Sequence, residues 1–361
     1  ALEGLSLIET SNQREEAAMI ALKFREVLET KNSTAALITP DRKLARRVSG
    51  FCKRWGIEID DSAGQKLSAT PLGTYLLLLC EVAISNLSPA ALLSLLKHKY
   101  SRAGMSTDEY HRNIYALDQY LLRGLKPQPG FDGLYQRFTD RIADKHSDDP
   151  PDHLMDFMRI IEPMLQPFLN LMTSENPRKI SVFIKNHLEL AEILACTGSA
   201  PGEHRLWRDE DGEAAAAFFA ELSEQASSFD DMDGPSYLRI LSHLMGDITV
   251  RPKYGTHPRL SILGQLESRL IDADMLILGG LNEGSWPPDP GHDPWMSRPM
   301  RAQFGLPDPD RNIGLTAHDF VQGFCAPQVL LTRSKTIDAA ASVPARWLQR
   351  LDTVLRGAGK T

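Results

Sequence analysis

The sequence contains only four cysteines, and none lies close to another along the chain. Cys52, Cys80, Cys196 and Cys325 form no CxxC pair, so neighbouring thiolates do not offer the spacing of a zinc or iron–sulfur site. Scattered free cysteines are typical of proteins in a reducing compartment. We therefore predict no metal site and expect a reducing cytosol.

Long apolar runs and an excess of positive charge are also absent. No run approaches the roughly 18 apolar residues that a membrane-spanning helix needs, and the first residues, Ala1–Gly4, do not resemble a signal peptide. We expect no membrane partner. The formal net charge of −7 argues against binding of nucleic acid through bulk charge, but it leaves room for a local basic groove.

The motifs of several enzyme classes are missing as well. The sequence has no GxxxxGKS/T phosphate loop, no GxSxG nucleophile turn and no HExxH zinc motif. The first of these loops holds the β- and γ-phosphates of ATP, so this chain alone is not expected to hydrolyse ATP. We predict no catalytic residue in it.

The two ends of the chain show the alternation of strands and helices that predicts a parallel sheet. The predicted strands are Leu5–Glu9, Ala35–Thr39, Ile57–Ile59, Arg259–Leu263, Met275–Gly279 and Gln328–Thr332. Helical periodicity over Asn12–Glu29, Arg42–Trp55 and Thr70–Val82 supplies the crossovers of the first half. A Pro- and Asp-rich loop, Trp286–Asp310, is too long for an ordinary connection and is a candidate functional loop.

The middle of the chain shows helical periodicity only. The predicted helices are Pro89–Lys97, Thr107–Leu122, Gly130–Lys145, Pro151–Ile161, Lys179–Ala195, Glu213–Ser227 and Pro235–Met245. We therefore predict an α/β domain split by an all-helical insertion. Its first half would be residues 1–85, the insertion 86–247, and the second half 248–361 with a C-terminal linker.

One segment, Gly279–Pro287, carries the most specific motif. Its sequence, Gly-Gly-Leu-Asn-Glu-Gly-Ser-Trp-Pro, resembles the strand-to-loop motif of the second RecA-like domain of UvrD/RecB-type superfamily 1 helicases. In that family the loop touches nucleotide and DNA, and its glutamate approaches the ribose of ATP. The resemblance implies nucleotide-binding positions, vestigial here, at Glu283, Gly284 and, in the preceding segment, Glu267.

Most of the chain resembles one subgroup of that superfamily, the AddB-type subunit of bacterial AddAB helicase–nucleases. The segments that carry the likeness are Ser11–Ala17, Ala36–Arg47, Trp55–Gly64, Gly255–Arg269, Asp293–Pro299, Ala317–Gln322, Val329–Arg333 and Val343–Leu351. The helical middle matches by length and position alone. The resemblance implies a RecA-like domain split by a 2B-like insertion, as an excised piece that lacks the P-loop and nuclease domains.

Departures from that family affect the residues that contact phosphate. Pro40 stands where active relatives place an arginine directly after a strand, and Phe324 stands where they place the γ-phosphate arginine. Loss of that arginine could lower the rate by on the order of 10³-fold or more. We assign Arg333 to the strand that follows, and a shift in register that would make it the phosphate contact is the alternative.

Six residues are candidates for DNA contact: Arg42, Lys43, Arg46, Arg47, Trp286 and Arg333. The first four place cations along one predicted helix beside an apolar stripe, as phosphate binding requires. A solvated outer helix face is the alternative for these four. Trp286 could stack on a single-stranded base, and packing in the core of the long loop is its alternative.

The resemblance implies a role in processing double-strand DNA ends for recombinational repair in the bacterial cytoplasm. We expect a degenerate helicase-like scaffold, inactive alone, that binds duplex ends, single strands and an AddA-type helicase–nuclease subunit. No cofactor is expected in this segment, whereas the parent complex would use ATP and Mg²⁺ as an ATP-dependent deoxyribonuclease and helicase. The alternatives are the C-terminal motor half of an active helicase and a helical protein-interaction module without DNA binding.

Overall fold

The computed structural model describes residues 4–61, 64–144, 149–251, 257–289 and 294–359. Predicted features at Lys145, Gly255, Asp293 and Thr361 lie outside these ranges. The chain divides into two compact units. The sheet unit comprises residues 1–64 and 251–361, and the helical unit comprises residues 65–250. The protein is therefore an α/β protein with a large helical portion.

The sheet unit contains one six-stranded sheet in which every neighbouring pair of strands is parallel. The strands of the chain are β1 (Leu5–Thr10), β2 (Ala35–Ile38), β3 (Asp60–Asp61), β4 (Gln65–Lys66), β5 (Thr249–Val250), β6 (Leu260–Leu263), β7 (Met275–Leu278), β8 (Gln328–Ser334), β9 (Thr336–Ile337) and β10 (Ala340–Ala341). The order in the sheet is β1-β8-β7-β2-β6-β3. Strands β4 with β5, and β9 with β10, form separate antiparallel pairs.

Fourteen α-helices lie in the described residues. They are α1 (Gln13–Glu29), α2 (Arg42–Lys53), α3 (Pro71–Ile84), α4 (Pro89–Leu96), α5 (Thr107–Ala116), α6 (Gly130–Ala143), α7 (Asp152–Met172), α8 (Ile180–Ala195), α9 (Glu203–Leu206), α10 (Asp209–Glu224), α11 (Gly234–Asp247), α12 (Arg298–Gln303), α13 (Arg311–Phe324) and α14 (Arg346–Gly357). A π-helical turn, Leu117–Leu122, follows α5.

Helices cover both faces of the sheet. On one face, Phe24 of α1 and Val48 of α2 pack over Leu37 of the fully buried strand β2. On the other face, Phe320 of α13 and Trp347 of α14 belong to a second apolar cluster. Burial of a strand on both faces explains its continuous apolar sequence, which is typical of parallel sheets.

The helical unit has one apolar core drawn from nearly all of its helices. Helix α3 lies within it, with Tyr75 and Leu76 fully buried. The first part of the sheet unit ends at residue 64, whereas the predicted boundary was at residue 85, so that α3 falls in the helical unit. Its composition is apolar enough for either unit, so periodicity alone could not assign it.

Three further differences from the predictions concern single elements. Helix α7 continues past Ile161 because Pro163 and Pro167 lie one turn apart on its exposed face, where water can take the carbonyls that lose their N–H partners. The third strand is Asp60–Asp61 rather than Ile57–Ile59. The predicted linker is partly helical, because α14 extends to Gly357.

Candidate functional site

The carboxyl edge of the sheet contains a topological switch point between β2 and β7. The helix that follows β2 packs on one face of the sheet, and α13, which leads from β7 to β8, packs on the other. The strands are neighbours, with Ile38 beside Leu278. In open α/β sheets ligands bind at such a point, so the residues just after these strands form the candidate site.

The turn after β7 requires glycine at two positions. A Cβ on Gly279 would lie 2.7 Å from Cδ1 of Leu37, closer than real contacts allow. Gly280 has a φ of +74°, which glycine adopts without strain. The turn therefore passes close over the end of β2, and a hypothetical Cβ on Gly280 would lie 3.4 Å from Oγ1 of Thr39.

A buried carboxylate, Glu16 of α1, lies under this turn. Its Oε1 accepts hydrogen bonds from the Gly280 N–H at 2.8 Å and from the Thr332 hydroxyl at 2.8 Å. Burial raises the pKa of Glu16, and the charge of Asp41 raises it further, whereas the hydrogen bonds from Thr332 and Gly280 act in the opposite direction. The chain's own carboxylate thus binds the backbone donor that the turn offers.

Arg333 lies at the end of β8, as the sequence predicted, but it is 4% exposed. Its Nη1 donates to Oε1 of Glu9 at 2.5 Å, and its Nε donates to Oδ1 of Asn282 at 3.0 Å. Its Nη2 donates to the carbonyl of Ser342 at 3.0 Å. All three nitrogens are bound by the chain itself, and this arrangement does not fit the predicted contact of Arg333 with DNA.

Glu283, the glutamate of the helicase-like motif, is held by the start of α14. Its Oε2 accepts from the Arg346 backbone N–H at 3.1 Å, and its Oε1 accepts from Nε of Arg346 at 2.9 Å and also from Nη2. Hydrogen bonding to this carboxylate raises the pKa of Arg346. Gly284 follows with a φ of +85°. Glu283 therefore caps a helix in this structure, a role that the sequence did not predict.

Glu267, the third predicted nucleotide-binding residue, lies in the short 3-10 turn after β6 and is exposed. A hypothetical Cβ on Gly264 would lie 2.5 Å from its Oε2, so the carboxylate folds back over the end of β6. The structure places Glu267 after one strand and Glu283 after another, with no hydrogen bond between them in the described residues.

Trp286 lies in the core. It is 0% exposed, and its indole N–H donates to the carbonyl of Gly279 at 3.0 Å. Its ring meets Phe320 edge-on with centroids 6.1 Å apart. Trp286 is thus inaccessible to a DNA base, and of the two interpretations of this residue the structure favours core packing.

Pro40 and Phe324, which stand where the resemblance would place phosphate-binding arginines, lie near β2 and at the end of α13. Thr39 separates Pro40 from the end of β2, and Phe324 ends α13 with its ring stacked on Phe320 at 6.2 Å. Phe324 packs against the apolar cluster on that face of the sheet. An aromatic side chain in this cluster offers no charge to a phosphate.

The four cationic side chains of α2 differ in their contacts and in their exposure. Arg42 is paired with Asp61, and Nη1 of Arg47 donates to Oε1 of Gln13 at 2.8 Å. Lys43 is largely exposed and lies 3.3 Å from Oδ2 of Asp338. Arg46 is exposed and makes no ion pair among the described residues. Lys43 and Arg46 therefore remain accessible, whereas Arg42 and Arg47 serve internal contacts.

The β9–β10 hairpin lies against the start of both crossover helices. The Thr336 hydroxyl donates to the carbonyl of Ser11 at 2.7 Å, just before α1, and the contact between Asp338 and Lys43 reaches α2. Its far end is fixed by Ser342, whose hydroxyl donates to Oδ1 of Asn282 at 3.2 Å. The hairpin is thus held by contacts with Ser11, with Lys43 and with Asn282, and Asn282 also accepts a hydrogen bond from Arg333.

Sequence reasoning missed Glu16, Asn282 and Ser342 as members of this network. A signal for Glu16 was present, because it lies one turn before Ile20 on the buried face of α1. A carboxylate on an apolar face is rarely buried unless it is bonded. Ser342 carries no such signal, because its position depends on the hairpin.

Neither a metal centre nor a membrane span is found in the part of the chain that the structure describes. No group of three or more His, Cys, Asp or Glu side chains there is arranged to hold a metal ion. No helix among the same residues has both the length and the apolar composition to cross a bilayer.

Comparison with known proteins gives one similarity and no family. No family model matches the chain. It is similar to a protein of Rickettsia felis, described as an uncharacterized protein, with 22% identity over 354 residues. The match covers 98% of this chain and 36% of that relative. Almost the whole chain is matched, and it spans little more than a third of the length of that relative.

Proposed function

We propose that this chain is a helicase-derived scaffold of the AddB type, which binds DNA and a partner motor subunit during processing of double-strand ends. The observation that carries the proposal is that the chain's own side chains bind the polar groups at the switch point between β2 and β7. The turn with the helicase-like sequence lies at the carboxyl edge of the sheet, where open α/β sheets bind their ligands, and its Gly280 N–H and its Glu283 carboxylate are both bound by the chain's own side chains.

Other findings support the same proposal. The parallel sheet, with helices on both faces and a long helical segment between its halves, is compatible with a RecA-like domain carrying an insertion. The much longer relative leaves room for further domains elsewhere in such proteins. A phosphate loop and a nuclease centre would lie in those domains.

The second candidate, the motor half of an active helicase, would need a free arginine near the nucleotide. The two arginines that it assigned to this role are both in ion pairs, Arg333 with Glu9 and Arg42 with Asp61. An arginine that already binds carboxylate would have to break these bonds in order to stabilise a phosphoryl group. These pairs favour the scaffold.

Titration calorimetry with a non-hydrolysable ATP analogue and Mg²⁺ separates these two functions. The scaffold predicts no saturable heat with the wild-type chain. Saturable binding that is lost in Arg333→Lys, a change that retains the charge but not the forked geometry, would overturn the scaffold and support the motor.

DNA binding is tested on the accessible cations of α2. We expect a fluorescent oligothymidylate to bind at low salt, with an affinity that falls as salt rises. Lys43→Glu and Arg46→Glu should each weaken binding and lower the salt slope by about 0.7 per lost phosphate contact. Lys185→Glu, at an exposed position of the helical unit, is the matched control.

The outcome of this titration also addresses the third function. A chain with no affinity for the oligonucleotide at low salt would favour a module that binds protein alone. An equal loss in Lys185→Glu and Arg46→Glu would show that only the net charge of the chain matters, and it would remove α2 as the contact surface.

A further inference from the structure

The two edges of the six-stranded sheet differ in how they are protected against pairing with a further strand. At one edge, β3 is only two residues long, and both residues are aspartates. Short strands and charged residues are devices by which natural proteins block a sheet edge. At the other edge, β1 is six residues long, has no proline or lysine, and carries one charge, Glu9. Of the two, the β1 edge is therefore the one whose length and composition permit pairing.

Half of the backbone groups of β1 point away from the sheet. Successive residues of a parallel strand direct their N–H and C=O groups alternately to one side and to the other. The carbonyl of Thr10 accepts from the N–H of Lys335, just after β8, at 2.8 Å, so the even-numbered residues of β1 face β8. The N–H and C=O groups of Leu5, Leu7 and Glu9 therefore point outwards, and they make no hydrogen bond with another described residue.

The side chains along this edge are accessible. Leu7 is 50% exposed, whereas Leu331, its neighbour on β8, is 1% exposed. Ser6 and Glu9 are also exposed. Outward N–H and C=O groups that repeat at every second residue match the groups of another extended strand, which offers acceptors and donors at the same spacing. The chemistry of the edge therefore specifies a β-strand as its partner.

The sequence of β1 is complementary to itself in the antiparallel direction. If two copies are related by a two-fold axis at Leu7, this residue lies opposite Leu7 of the second copy, and Leu5 lies opposite Glu9. In an antiparallel pair, residues that face each other through outward backbone groups exchange both N–H···O=C bonds. All the outward groups of both strands are then bonded. No other symmetric register of β1 with itself uses all of them.

The same register separates the charges and covers the apolar side chain. The two Glu9 residues lie about 14 Å apart along the pair, given the rise of a β-strand, and the Debye length at physiological salt is about 8 Å. Each Glu9 also lies within 3.8 Å of two cations of its own chain, Arg333 and Lys335. The two half-exposed Leu7 side chains meet at the axis, where each removes the other from water. A register centred on Glu9 would instead bring two carboxylates together.

We propose that β1 binds β1 of a second copy of the chain, antiparallel and with Leu7 at the two-fold axis, so that the two sheets become one. A pair of strands buries less than the about 1,200 Å² of the smaller stable interfaces. The dimer should therefore dissociate on dilution. This inference goes beyond the proposed function, because it requires neither DNA nor a partner motor subunit.

Sedimentation velocity of the 361-residue chain measures the dimer, at concentrations from about 5 to 500 μM, as suits a weak contact. We expect the average mass of the wild type to rise towards that of a dimer. Leu7→Lys and Leu7→Glu should each weaken dimerisation about tenfold or more, because each places like charges opposite each other. An equimolar mixture of the two variants should recover an affinity within about threefold of the wild type, since the charges are then opposite in sign.

Ile193→Lys is the matched control, because Ile193 is 47% exposed on α8 of the helical unit. It should dimerise as the wild type does. The proposal is overturned if Leu7→Lys dimerises as well as Ile193→Lys, or if the mixture associates no better than either variant alone. A wild type that stays monomeric throughout the concentration range would leave the edge to a strand of another protein, and it would also overturn the proposal.

Hydrogen exchange resolved to single amides locates the contact within β1. The outward N–H groups of Leu5, Leu7 and Glu9 should exchange more slowly at the highest concentration than at the lowest, because pairing protects them. Those of Ser6 and Ile8, which face β8, should change little. A dimer that forms without slowing exchange at Leu7 would use another surface, and this result would overturn the assignment to the β1 edge.

Discussion

The two units of this protein bury polar side chains in different ways. The sheet unit buries carboxyl and guanidinium groups, with Glu16 and Arg333 at the carboxyl edge of its strands and Asp319 on α13. The helical unit buries groups that are neutral at pH 7. One of them is His187, which is fully buried and contacts the Tyr237 hydroxyl at 3.0 Å and the Leu76 carbonyl at 2.9 Å.

The difference follows from the backbone donors that each location leaves unpaired. The carboxyl edge of an open α/β sheet offers unpaired backbone donors at its turns, and here side chains of the same chain bind them. The interior of a helix bundle offers few such donors, because helix backbones satisfy their own groups. Among the described residues, buried carboxyl and guanidinium groups are therefore confined to the sheet unit, whereas the helical unit buries neutral polar groups in its packing core.

The largest expected loss of stability is at Arg333 of the sheet unit. Arg333→Ala leaves Glu9 without its arginine and removes the donor from Asn282, so we expect the free energy of unfolding to fall by about 3 kcal/mol. Because Glu9 is partly exposed, it can rehydrate, which keeps the loss at the lower end for a broken buried pair. Urea denaturation followed by the fluorescence of the buried Trp286 measures it.

Two variants control for this result. Arg46→Ala removes an exposed arginine and should change stability by no more than about 0.5 kcal/mol. Arg333→Met combined with Glu9→Gln replaces both partners by uncharged groups and should recover part of the loss. Equal stability of Arg333→Ala and Arg46→Ala would mean that the network at the sheet edge contributes nothing.

The pH dependence of stability should come in part from His187. Burial lowers the pKa of His187 from 6.5 to about 4, so between these values the unfolded chain binds a proton that the folded chain does not. This contribution is fully present above pH 6.5 and is lost as pH falls towards 4. The slope is about 1.4 kcal/mol per pH unit, or up to about 3 kcal/mol in total.

The contribution of His187 is isolated by substitution, because carboxylates also titrate in acid. His187→Gln should flatten the decline of the free energy of unfolding between pH 6.5 and 4, measured by urea denaturation at a series of pH values. His243→Gln, at an exposed position of α11, should leave the decline as it is. An unchanged slope in His187→Gln would contradict the neutral core histidine.

The sheet unit should respond in a different way to changes at Glu16. Glu16→Ala leaves the Gly280 N–H and the Thr332 hydroxyl without their acceptor and should cost about 2 kcal/mol. Glu16→Gln retains an acceptor oxygen and removes the charge that burial disfavours. We expect its stability at pH 8 to lie within about 1 kcal/mol of the wild type, measured by thermal unfolding.

The sign of the Glu16 effect with pH follows from its raised pKa. The folded chain holds the proton more tightly than the unfolded chain, so this group lowers stability as pH rises through the window between the two pKa values. The free energy of unfolding of Glu16→Gln should therefore increase relative to that of the wild type as pH rises. If Glu16→Gln instead became less stable relative to the wild type as pH rises, the ionised carboxylate would be shown to stabilise the turn.

Much of the fold could be predicted from the sequence, because periodicity determines it. The strands Ala35–Ile38 and Met275–Leu278 are short apolar runs, and the helix Gln13–Glu29 has a clear buried stripe. The placement of α3 could not be predicted in this way, since an apolar helix can pack in either unit. The hairpin Thr336–Ala341 was also missed, because its strands are only two residues each.

Less of the site could be predicted. The position of the Gly280 turn at the end of β7 follows from local sequence, because glycines after an apolar run indicate a tight turn at a strand end. The partners of Arg333 and Glu283 do not, since Glu9 and Arg346 lie 324 and 63 residues away along the chain. Such pairs arise from the order of strands in the sheet, which sequence periodicity leaves open.

The smallest expected effect is at Glu283, where the scaffold and the motor differ most. Both side chains of the Glu283–Arg346 pair are a third or more exposed, so Glu283→Gln should lower the free energy of unfolding by less than about 1 kcal/mol. If the carboxylate only caps α14, Glu283→Gln should leave binding of an ATP analogue unchanged, and Arg346→Ala should destabilise the protein by a similar small amount. If the ion pair instead blocks a functional ribose site, Arg346→Ala should free Glu283 and create saturable binding of the analogue, which Glu283→Gln combined with Arg346→Ala then abolishes. Titration calorimetry of these three variants therefore decides whether the Glu283–Arg346 ion pair has only a structural role or blocks a functional nucleotide site.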